Sequence, residues 1–393
     1  MAYRFSRRME KTPKSFIREI LKVTLNPGVI SFAGGLPNPD LIDVAGIEKA
    51  AGDLIREDGK AALQYSTTEG YEPLRQFIAD RYSKRYGLSA DPDEILITNG
   101  SQQCLDLIGK IFIDRSDAVV IERPGYLGAI QAFSLFEPVF HAVSLHDDGP
   151  DTGELAGILY DEDPKFFYGI PNSQNPTGIT YSEEKRREIA EILHDTGTIF
   201  VEDDAYGEVR FDGSAELPVT RYLPGEGIMT GTFSKIFSPG MRLGWIYAPG
   251  DIMERLIVVK QASDLHSNYL SQRILATYLE ENDIDAHIRK ITAAYASRAA
   301  LMAACMEKHF PDDITFTRPE GGMFIWVTFP EGISSVELFE TAAKHNVIVL
   351  PGLPFYVDGA GDRSARFNFS NANPDQIRAG IDIIADVIEA IRK

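Results

Sequence analysis

The chain has 393 residues and a formal net charge of −19, from 39 Lys and Arg against 58 Asp and Glu. Hydrophobic residues make up 44% and charged residues 25%, which is typical of globular proteins and excludes a disordered or collagen-like chain. The acidic excess argues against nucleic-acid binding, because phosphate backbones bind clustered Lys and Arg.

The cysteines and the first residues bear on the cellular compartment that we expect for the protein. Two cysteines, Cys104 and Cys305, are too few for a disulfide framework or a thiolate metal site and fit a reducing cytoplasm. The seven histidines are scattered without metal-site spacing. Residues 1–16 have basic side chains but no apolar stretch after them, so we expect no signal peptide. No run approaches the ~18 apolar residues of a membrane span.

The middle of the chain alternates short apolar runs with amphipathic stretches. The runs predict strands at Glu94–Thr98, Ala118–Ile121, Phe166–Ile170, Thr198–Glu202, Gly227–Gly231 and Gly244–Tyr247. Between two of them, Glu183–His194 is predicted to be a helix capped by Ser182, with acidic residues in its first turn. This alternation predicts an α/β fold whose mainly parallel sheet is covered on both faces.

The pattern changes after about Asp283. The predicted elements are then a helix from Ala286 towards His309, a strand Met323–Val327, a helix Ser335–His345, a strand Ala365–Phe369 and a helix Pro374–Arg392. We therefore expect a large domain over residues 51–283 and a smaller α+β domain over residues 284–393. Residues 1–50 are expected to pack on the small domain.

Polar residues follow several of the predicted strands, where ligands bind in α/β sheets. Gly100, Ser101 and Gln102 open a helix, whose free N–H groups suit an anion, although for this turn taken alone a plain Ser helix cap is the preferred interpretation. The segment Pro171–Gly178 has strong turn chemistry, and within it Asn175 is placed to donate a hydrogen bond to a ligand.

Two further strand ends combine charged residues. Glu202, Asp203 and Asp204 would repel one another unless they are solvated or one of them faces a cationic nitrogen or a metal. Lys235 lies in an apolar, Gly- and Ser-rich turn before Arg242, and burial there would lower its pKa and make the amine nucleophilic. A lysine taken alone is more often a surface residue.

In combination these motifs resemble the pyridoxal-phosphate (PLP) aminotransferases of fold type I, over about residues 15–390. The motifs are Asn175-Pro176-x-Gly178, Asp203-x-x-Tyr206, Ser234-Lys235, Arg242, Gly321–Phe324, Arg366–Ser370, Ser31–Pro37 and Tyr65. Ile17-Arg18-Glu19 and the Ser31–Pro37 stretch are similar to the α-aminoadipate and kynurenine aminotransferase subgroup. The implied fold is a mainly parallel seven-stranded sheet between helices, which binds PLP, plus a smaller α+β domain.

The resemblance implies roles around the cofactor ring. Lys235 would form the internal aldimine and then move the substrate Cα proton. Asp203 would pair with the pyridine nitrogen and favour its protonated form, which is the better electron sink. Tyr206 and Asn175 would hydrogen-bond the ring oxygen, and Tyr126 would stack on the ring face.

The resemblance also implies a phosphate site and a substrate site. The phosphate would be held by Gly100, Ser101, Gln102, Thr232, Ser234 and Arg242, together with Tyr65 from the partner subunit of a homodimer. Arg366 would clamp the substrate α-carboxylate, with Asn175 beside it, and Gly35 would allow close backbone approach. Arg18 matches a position that can meet a side-chain carboxylate, or it is an exposed helix-end arginine.

We therefore predict a cytoplasmic aminotransferase with no metal, nucleic-acid or membrane partner. It would move an amino group between glutamate, 2-aminoadipate or an aromatic or branched amino acid and a 2-oxo acid by ping-pong chemistry. One alternative is a PLP-dependent lyase or decarboxylase on the same fold. Another is a PLP-binding regulator, although the aminotransferase pattern begins within about 20–30 residues of Met1, too few for a typical DNA-binding domain.

Overall fold

The computed structural model describes residues 3–11 and 28–392. Its strands are β1 Ile30–Ser31, β2 Ile95–Thr98, β3 Ala118–Arg123, β4 Val139–His146, β5 Gly149–Pro150, β6 Phe166–Gly169, β7 Ile199–Asp203, β8 Gly227–Thr232, β9 Gly244–Tyr247, β10 Thr315–Phe316, β11 Phe324–Thr328, β12 Val347–Ile348, β13 Leu350–Pro351 and β14 Ser364–Asn368.

The α-helices are α1 Arg7–Lys11, α2 Val44–Ala62, α3 Glu72–Tyr86, α4 Ser101–Phe112, α5 Leu127–Ser134, α6 Thr152–Glu162, α7 Glu183–Thr196, α8 Gly250–Asp264, α9 Tyr269–Glu281, α10 Ile284–His309, α11 Ser335–Lys344 and α12 Pro374–Ile391. Short 3-10 helices lie at Pro39–Leu41, Pro92–Glu94, Val219–Tyr222, Pro239–Met241 and Leu353–Phe355.

An eight-stranded sheet forms the centre of the fold, in the order β2-β9-β8-β7-β6-β3-β4-β5. All of its strands run in one direction except β9 and β5, which confirms the predicted mainly parallel α/β sheet. The predicted number of seven strands is wrong by one, because β5 adds a two-residue strand beside β4. Its Pro150 cannot donate to a ladder, which suits an edge position.

The strands predicted for this sheet are all present, with ends that differ by at most two residues. The sequence pattern does not reveal β4, where Val143 is the one residue that is fully buried. A half-exposed strand near a sheet edge lacks the continuous apolar run that marks a central parallel strand.

Consecutive residues of these strands belong to two different hydrophobic clusters, because their side chains point alternately to the two faces of the sheet. Ile121 and Val201 pack with α4 and α5 on one face. Val120 and Phe200 pack with α6 and α7 on the other face. The helices therefore cover both faces, as predicted.

Helix α7 illustrates how its sequence sets its ends. The Ser182 side chain accepts a hydrogen bond from the backbone N–H of Lys185, which confirms the predicted cap. Gly197 ends the helix in the left-handed region with φ 67°, a conformation that costs glycine little.

The C-terminal part of the chain forms a four-stranded antiparallel sheet in the order β10-β11-β14-β13. Helices α10, α11 and α12 match the predicted ones to within two residues. Strand β1 pairs in parallel with β12, through Ile30 with Val347, which brings this part of the N-terminal segment onto the C-terminal part.

The predicted domain boundaries are not marked by a break in the core. One hydrophobic cluster runs from Leu74 and Ile97, near the large sheet, to Phe367 and Ile381 in the C-terminal part. Within residues 3–11 and 28–392, no helix is both long and apolar enough to cross a membrane.

Candidate functional site

A cavity of about 290 Å³ opens where the parallel strands of the large sheet end. The predicted site residues that line it are Gly35, Ser101, Gln102, Tyr126, Asn175, Asp203, Tyr206, Thr232, Ser234, Lys235, Arg242 and Arg366. Residues far apart in sequence therefore converge on one cavity. Most of them lie at the strand ends on one edge of the large sheet, whereas Gly35 and Arg366 come from the β1 and β14 regions outside that sheet.

Lys235 extends into this cavity from the turn after β8. Its amine donates a 3.1 Å hydrogen bond to the carbonyl oxygen of Gly35. Burial, together with the positive charges of Arg366 and Arg242, lowers the pKa of Lys235 to about 8, and Asp203 opposes this change. About a tenth of the amine is then neutral, and able to attack a carbonyl, at pH 7.

Asp203, the last residue of β7, has one oxygen paired and one oxygen free. Its Oδ2 accepts a 2.7 Å hydrogen bond from the Tyr168 hydroxyl. Its Oδ1 is buried and has no described partner at full hydrogen-bond geometry, although the nearby Thr230 hydroxyl lowers the pKa of the carboxyl. Burial raises the pKa of Asp203 to about 6, although the Tyr168 hydroxyl lowers it. An unsatisfied buried carboxylate oxygen beside a cavity is suited to a cationic N–H of a ligand.

The two acids on either side of Asp203 have structural partners. Glu202 points to the opposite face of the strand and accepts hydrogen bonds from the backbone N–H groups of Val219 and Thr220, at 3.2 and 2.9 Å. Asp204 accepts from Asn172 at 2.7 Å. Of the three acids at this strand end, Asp203 alone lines the cavity, so the functional interpretation applies to it and neither of its neighbours is simply solvated.

Arg366, on β14, is buried beside the opposite wall. Its Nη1 donates to Asn175 Oδ1 at 2.8 Å, and its Nη2 donates to the carbonyl oxygen of Ala33 at 2.6 Å. The guanidinium lies 4.1 Å from the centre of the Phe324 ring. Its Nε is buried without a partner in the described part of the chain. Burial lowers the pKa of Arg366 to about 10, so it remains a cation with N–H groups available to a ligand.

Two tyrosines stand on the cavity wall between these charges. Tyr206 is 4% exposed and packs edge-to-face on Phe324, with 6.0 Å between ring centres. Burial raises the pKa of Tyr206 and raises that of Tyr126 to about 12, so both hydroxyls stay protonated and can donate hydrogen bonds at neutral pH.

The other end of the cavity is built for an anion. Helix α4 begins at Ser101, and its N-cap, Gly100, offers no side-chain hydrogen bond to the first N–H groups. The Arg242 guanidinium lies against Gly100, where a Cβ atom would approach Nη2 to 2.7 Å. Thr232 and Ser234 contribute hydroxyl groups 3.0 Å apart. Backbone donors, hydroxyls and a cation thus meet in one place.

Two predicted residues, Gly100 and Tyr65, are not on the cavity wall, and a third lies outside the described residues. Gly100 lies behind it as the N-cap of α4. Tyr65 is 78% exposed and packs edge-to-face on His266 outside the cavity. Arg18 lies outside the described residues.

Some residues of the site were missed by the sequence reasoning. Leu36, Ile170, Ala205 and Phe324 line the cavity, and each is a direct neighbour of a predicted residue or part of a quoted motif. Tyr168, the partner of Asp203, lies within the apolar run of β6, where a tyrosine is typical of the core. The signal that could have revealed it is the pairing of β6 with β7, which places it one strand from Asp203.

The cavity fits pyridoxal phosphate at three separate points. The free Oδ1 of Asp203 suits a protonated ring nitrogen, the uncapped N-terminus of α4 suits a phosphate, and Lys235 lies between them. Within residues 3–11 and 28–392, no group of three or more His, Cys, Asp and Glu is arranged to hold a metal ion. The fold and the cavity thus define an α/β enzyme that binds a phosphorylated carbonyl cofactor through a lysine.

Comparison with known proteins identifies the family. The model of the class I and II aminotransferases matches residues 22–384. A 2-aminoadipate transaminase of Thermus thermophilus is 40% identical over 372 residues, which cover 93% of this chain and 92% of the relative. The aromatic-amino-acid aminotransferase 1 of Thermococcus litoralis is 38% identical over 391 residues, which cover 98% and 94%.

The architecture agrees with a solved structure. LysN, an α-aminoadipate aminotransferase of T. thermophilus complexed with N-(5'-phosphopyridoxyl)-L-leucine, matches with a TM-score of 0.92 at 36% identity, over 98% of this chain and 97% of that one. The chain belongs to the class I and II aminotransferases and has the fold type I architecture. It is a PLP-dependent transaminase, and the resemblance seen in the sequence is confirmed.

Proposed function

We propose that this enzyme transfers the amino group of 2-aminoadipate, glutamate or an aromatic amino acid to a 2-oxo acid such as 2-oxoglutarate. The observation that carries the proposal is the presence of Lys235 and Arg366 on one cavity, where the arginine Nε has no partner among residues 3–11 and 28–392. The substrates named for the T. thermophilus and T. litoralis relatives support this choice of amino acids.

We propose that the cofactor is held at its two ends. Asp203 pairs with the ring nitrogen through its free Oδ1, and Tyr126 covers the ring face. The phosphate is bound by Gly100, Ser101, Gln102, Thr232, Ser234 and Arg242. Tyr206 and Asn175 donate hydrogen bonds to the ring oxygen. The bound cofactor supplies a carbonyl for the amino group and an electron sink for the substrate carbanion.

In this proposal Lys235 carries the proton transfer. With the cofactor bound, the neutral Lys235 amine would remove the proton from the substrate Cα and, as an ammonium, would donate it again. The lowered pKa keeps a fraction of the amine neutral, and its hydrogen bond to the Gly35 carbonyl holds it on the cavity side of the turn. Burial of the site also excludes water from this step.

Arg366 binds the substrate α-carboxylate in the proposed complex. Two of its five N–H groups are used by Asn175 and Ala33, so Nε and the remaining Nη hydrogens can donate to two carboxylate oxygens. Gly35 leaves room for the substrate, since a Cβ there would lie 3.2 Å from Phe324. Arg18 is proposed to bind the side-chain carboxylate of an acidic substrate.

The cavity therefore gathers Lys235, Arg242 and Arg366 in a chain with a net charge of −19. A local cationic site within an acidic protein suits a substrate and a cofactor that carry carboxylate and phosphate groups. The overall charge bears on solubility and on the proposed absence of nucleic-acid partners, not on this pocket.

We further propose a cytoplasmic homodimer with a shared active site. Tyr65 is strongly exposed and away from its own cavity, which suits a residue that reaches the phosphate of a partner subunit. Both cysteines are free, which fits a reducing compartment. We also propose that the chain divides into an N-terminal segment of residues 1–50, a large domain of residues 51–283 and a small domain of residues 284–393.

The proposed reaction is tested by its two halves. Purified enzyme loaded with PLP is mixed with each amino acid of a panel, and the visible spectrum is recorded. A substrate is expected to remove the yellow colour, and 2-oxoglutarate is expected to restore it with formation of glutamate. Release of carbon dioxide, or decolorised enzyme that 2-oxoglutarate does not restore, would indicate a decarboxylase or lyase instead.

The role of Arg18 is tested with the same panel. Arg18→Ala is expected to lower kcat/KM for 2-aminoadipate and glutamate about tenfold, as loss of one charge-assisted hydrogen bond would, and to leave aromatic donors unaffected. An unchanged donor preference would remove Arg18 from the substrate site.

A further inference from the structure

We propose that Glu122 is a positioning residue for substrate binding, which fixes the loop that carries Asn175 and thereby orients Arg366. Glu122 lies on β3, is 1% exposed and is not part of the cavity wall. The inference rests on the carboxylate-binding role proposed above for Arg366.

Glu122 binds one loop, residues 170–181, at its start, middle and end. Its Oε1 accepts a 3.2 Å hydrogen bond from the backbone N–H of Ile170 and a hydrogen bond from the Tyr181 hydroxyl. Its Oε2 accepts a 3.0 Å hydrogen bond from Gln174 Nε2. One carboxylate thus joins both stems of the loop to its turn.

Gln174 connects Glu122 to the turn that contains Asn175, through hydrogen bonds of its side-chain amide. Its Nε2 also donates to the carbonyl oxygen of Pro124 at 2.8 Å. Its Oε1 accepts from the backbone N–H of Thr177 at 2.8 Å and from the Thr177 hydroxyl at 2.7 Å. The next residue, Asn175, accepts the 2.8 Å hydrogen bond from Arg366. The orientation of the guanidinium therefore depends on a loop that Glu122 holds from behind.

The site requires an acceptor on both carboxylate oxygens, because Ile170, Tyr181 and Gln174 all donate. The amide of Gln174 cannot turn around to accept instead, since its oxygen already binds Thr177. A glutamine at position 122 would place an NH2 group against a donor and leave one contact unmade. Burial also raises the pKa of Glu122 to about 7, which the hydrogen bonds oppose.

The chain offers a matched control in Glu202, on the next but one strand of the sheet. Glu202 is 0% exposed, burial raises its pKa to about 7 as well, and its two oxygens accept from the N–H groups of Val219 and Thr220. Glu202→Gln thus makes the same isosteric change, at equal burial, without a hydrogen bond to residues 170–181.

The experiment compares Glu122→Gln with Glu202→Gln in the PLP-loaded enzyme, with 2-aminoadipate and 2-oxoglutarate as substrates. Glu122→Gln is expected to raise KM for both about tenfold, the effect of one lost hydrogen bond to a charged group. Its affinity for PLP should change less than KM does, because Asn175 is the one proposed cofactor contact within residues 170–181 and the proposed phosphate ligands lie elsewhere. Glu202→Gln is expected to lower Tm about as much as Glu122→Gln does, with KM unchanged. Equal KM values in the two variants, or a loss of PLP affinity larger than the rise in KM of Glu122→Gln, would overturn the inference.

Two more variants keep the outcome decisive. If Glu122→Gln does not fold, Tyr181→Phe removes one donor to Glu122 and should raise KM about threefold. An unchanged KM would then count against the inference. Arg366→Lys tests the underlying role, since an unchanged KM there contradicts the proposed function itself. A raised KM in Arg366→Lys together with equal KM values in the two glutamine variants overturns only the role of Glu122.

Discussion

Lys260 is fully buried and Lys235 is half-buried, and the partners of the two amines differ. Lys260, on α8, is 0% exposed and its amine bonds Asp264, whose other oxygen accepts from Asn99 and Gln103. The Lys235 amine instead bonds a neutral carbonyl and faces two arginines. Burial lowers the pKa of both, but a carboxylate partner opposes the change at Lys260. Burial alone therefore does not make a lysine reactive, and the partners decide its chemistry.

Buried charged groups of the site and of the sheet differ in the same way, by whether their polar atoms have hydrogen-bond partners. Glu202 and Glu122 are buried with both oxygens hydrogen-bonded, as structural groups must be. Asp203 and Arg366 each have one buried atom that no described residue hydrogen-bonds, and both line the cavity. An unsatisfied buried group costs about 1–3 kcal/mol. Its place beside a cavity indicates a position where a ligand completes the hydrogen bonding.

The largest expected effect is that of Lys235→Ala. Without the amine, kcat should fall about 10⁴-fold, the upper end for loss of a general base, and the yellow colour of the PLP-loaded enzyme should disappear. Lys260→Met is the matched change at the other lysine. It should keep the colour and lose about 2 kcal/mol of stability, less than the 3–5 kcal/mol of a fully buried pair because Asp264 is partly exposed.

Spectra, steady-state kinetics and thermal melts of both variants decide this comparison. Loss of colour in Lys260→Met, or retention of colour in Lys235→Ala, would contradict the assignment of the reactive lysine.

The second effect concerns the unpaired oxygen of Asp203. Asp203→Asn keeps the shape but removes the charge that stabilises a protonated ring nitrogen, so kcat should fall about 10²- to 10³-fold, as for removal of one preorganised electrostatic group. PLP should still bind, since its phosphate contacts lie elsewhere in the proposed site. Single-turnover rates with 2-aminoadipate measure the loss. Wild-type rates in this variant would mean that Asp203 does not face the ring nitrogen.

The third effect is a pH dependence of PLP capture by the apoenzyme. The pKa of Lys235 is lowered from its ordinary 10.5 to about 8, so the amine is half neutral near pH 8, mostly neutral about one unit higher and mostly protonated about one unit lower. The capture rate should rise with a midpoint near pH 8 and level off about one pH unit above it. Asp203, with a pKa of about 6, titrates well below this range. Stopped-flow absorbance measures the rate, and a continued rise towards pH 10 would show an ordinary lysine.

The sequence predicted the cavity well because its chemistry lies at strand ends. Asp203 ends an apolar run, and Asn175 and Lys235 lie in the turns that follow apolar runs. A parallel sheet brings such strand ends to one edge. The resemblance to a family then supplied expected roles that propensity and periodicity alone left open.

The residues behind the cavity were not predictable in this way. Tyr168 and Glu122 lie inside strands, so their significance depends on which strands pair and which face each residue takes. Strand β4 lacked a buried apolar run, and a two-residue strand such as β5 has almost no local signal. Pairing and register are tertiary properties, and one sequence read by local pattern does not contain them.

The smallest effect is the most specific, because it concerns the paired oxygen of Asp203. Tyr168→Phe removes the 2.7 Å hydrogen bond to Oδ2 and leaves the aromatic ring in place. This donor stabilises the carboxylate, so its loss should raise the pKa of Asp203 by about one unit, from a hydrogen bond of about 1.5 kcal/mol to a charged group. Activity at the acidic side of the pH profile should then decline about one pH unit higher, while kcat at its plateau changes less than about threefold. If instead the plateau falls as far as in Asp203→Asn with no shift of the acidic limb, Tyr168 orients the carboxylate rather than tuning its charge.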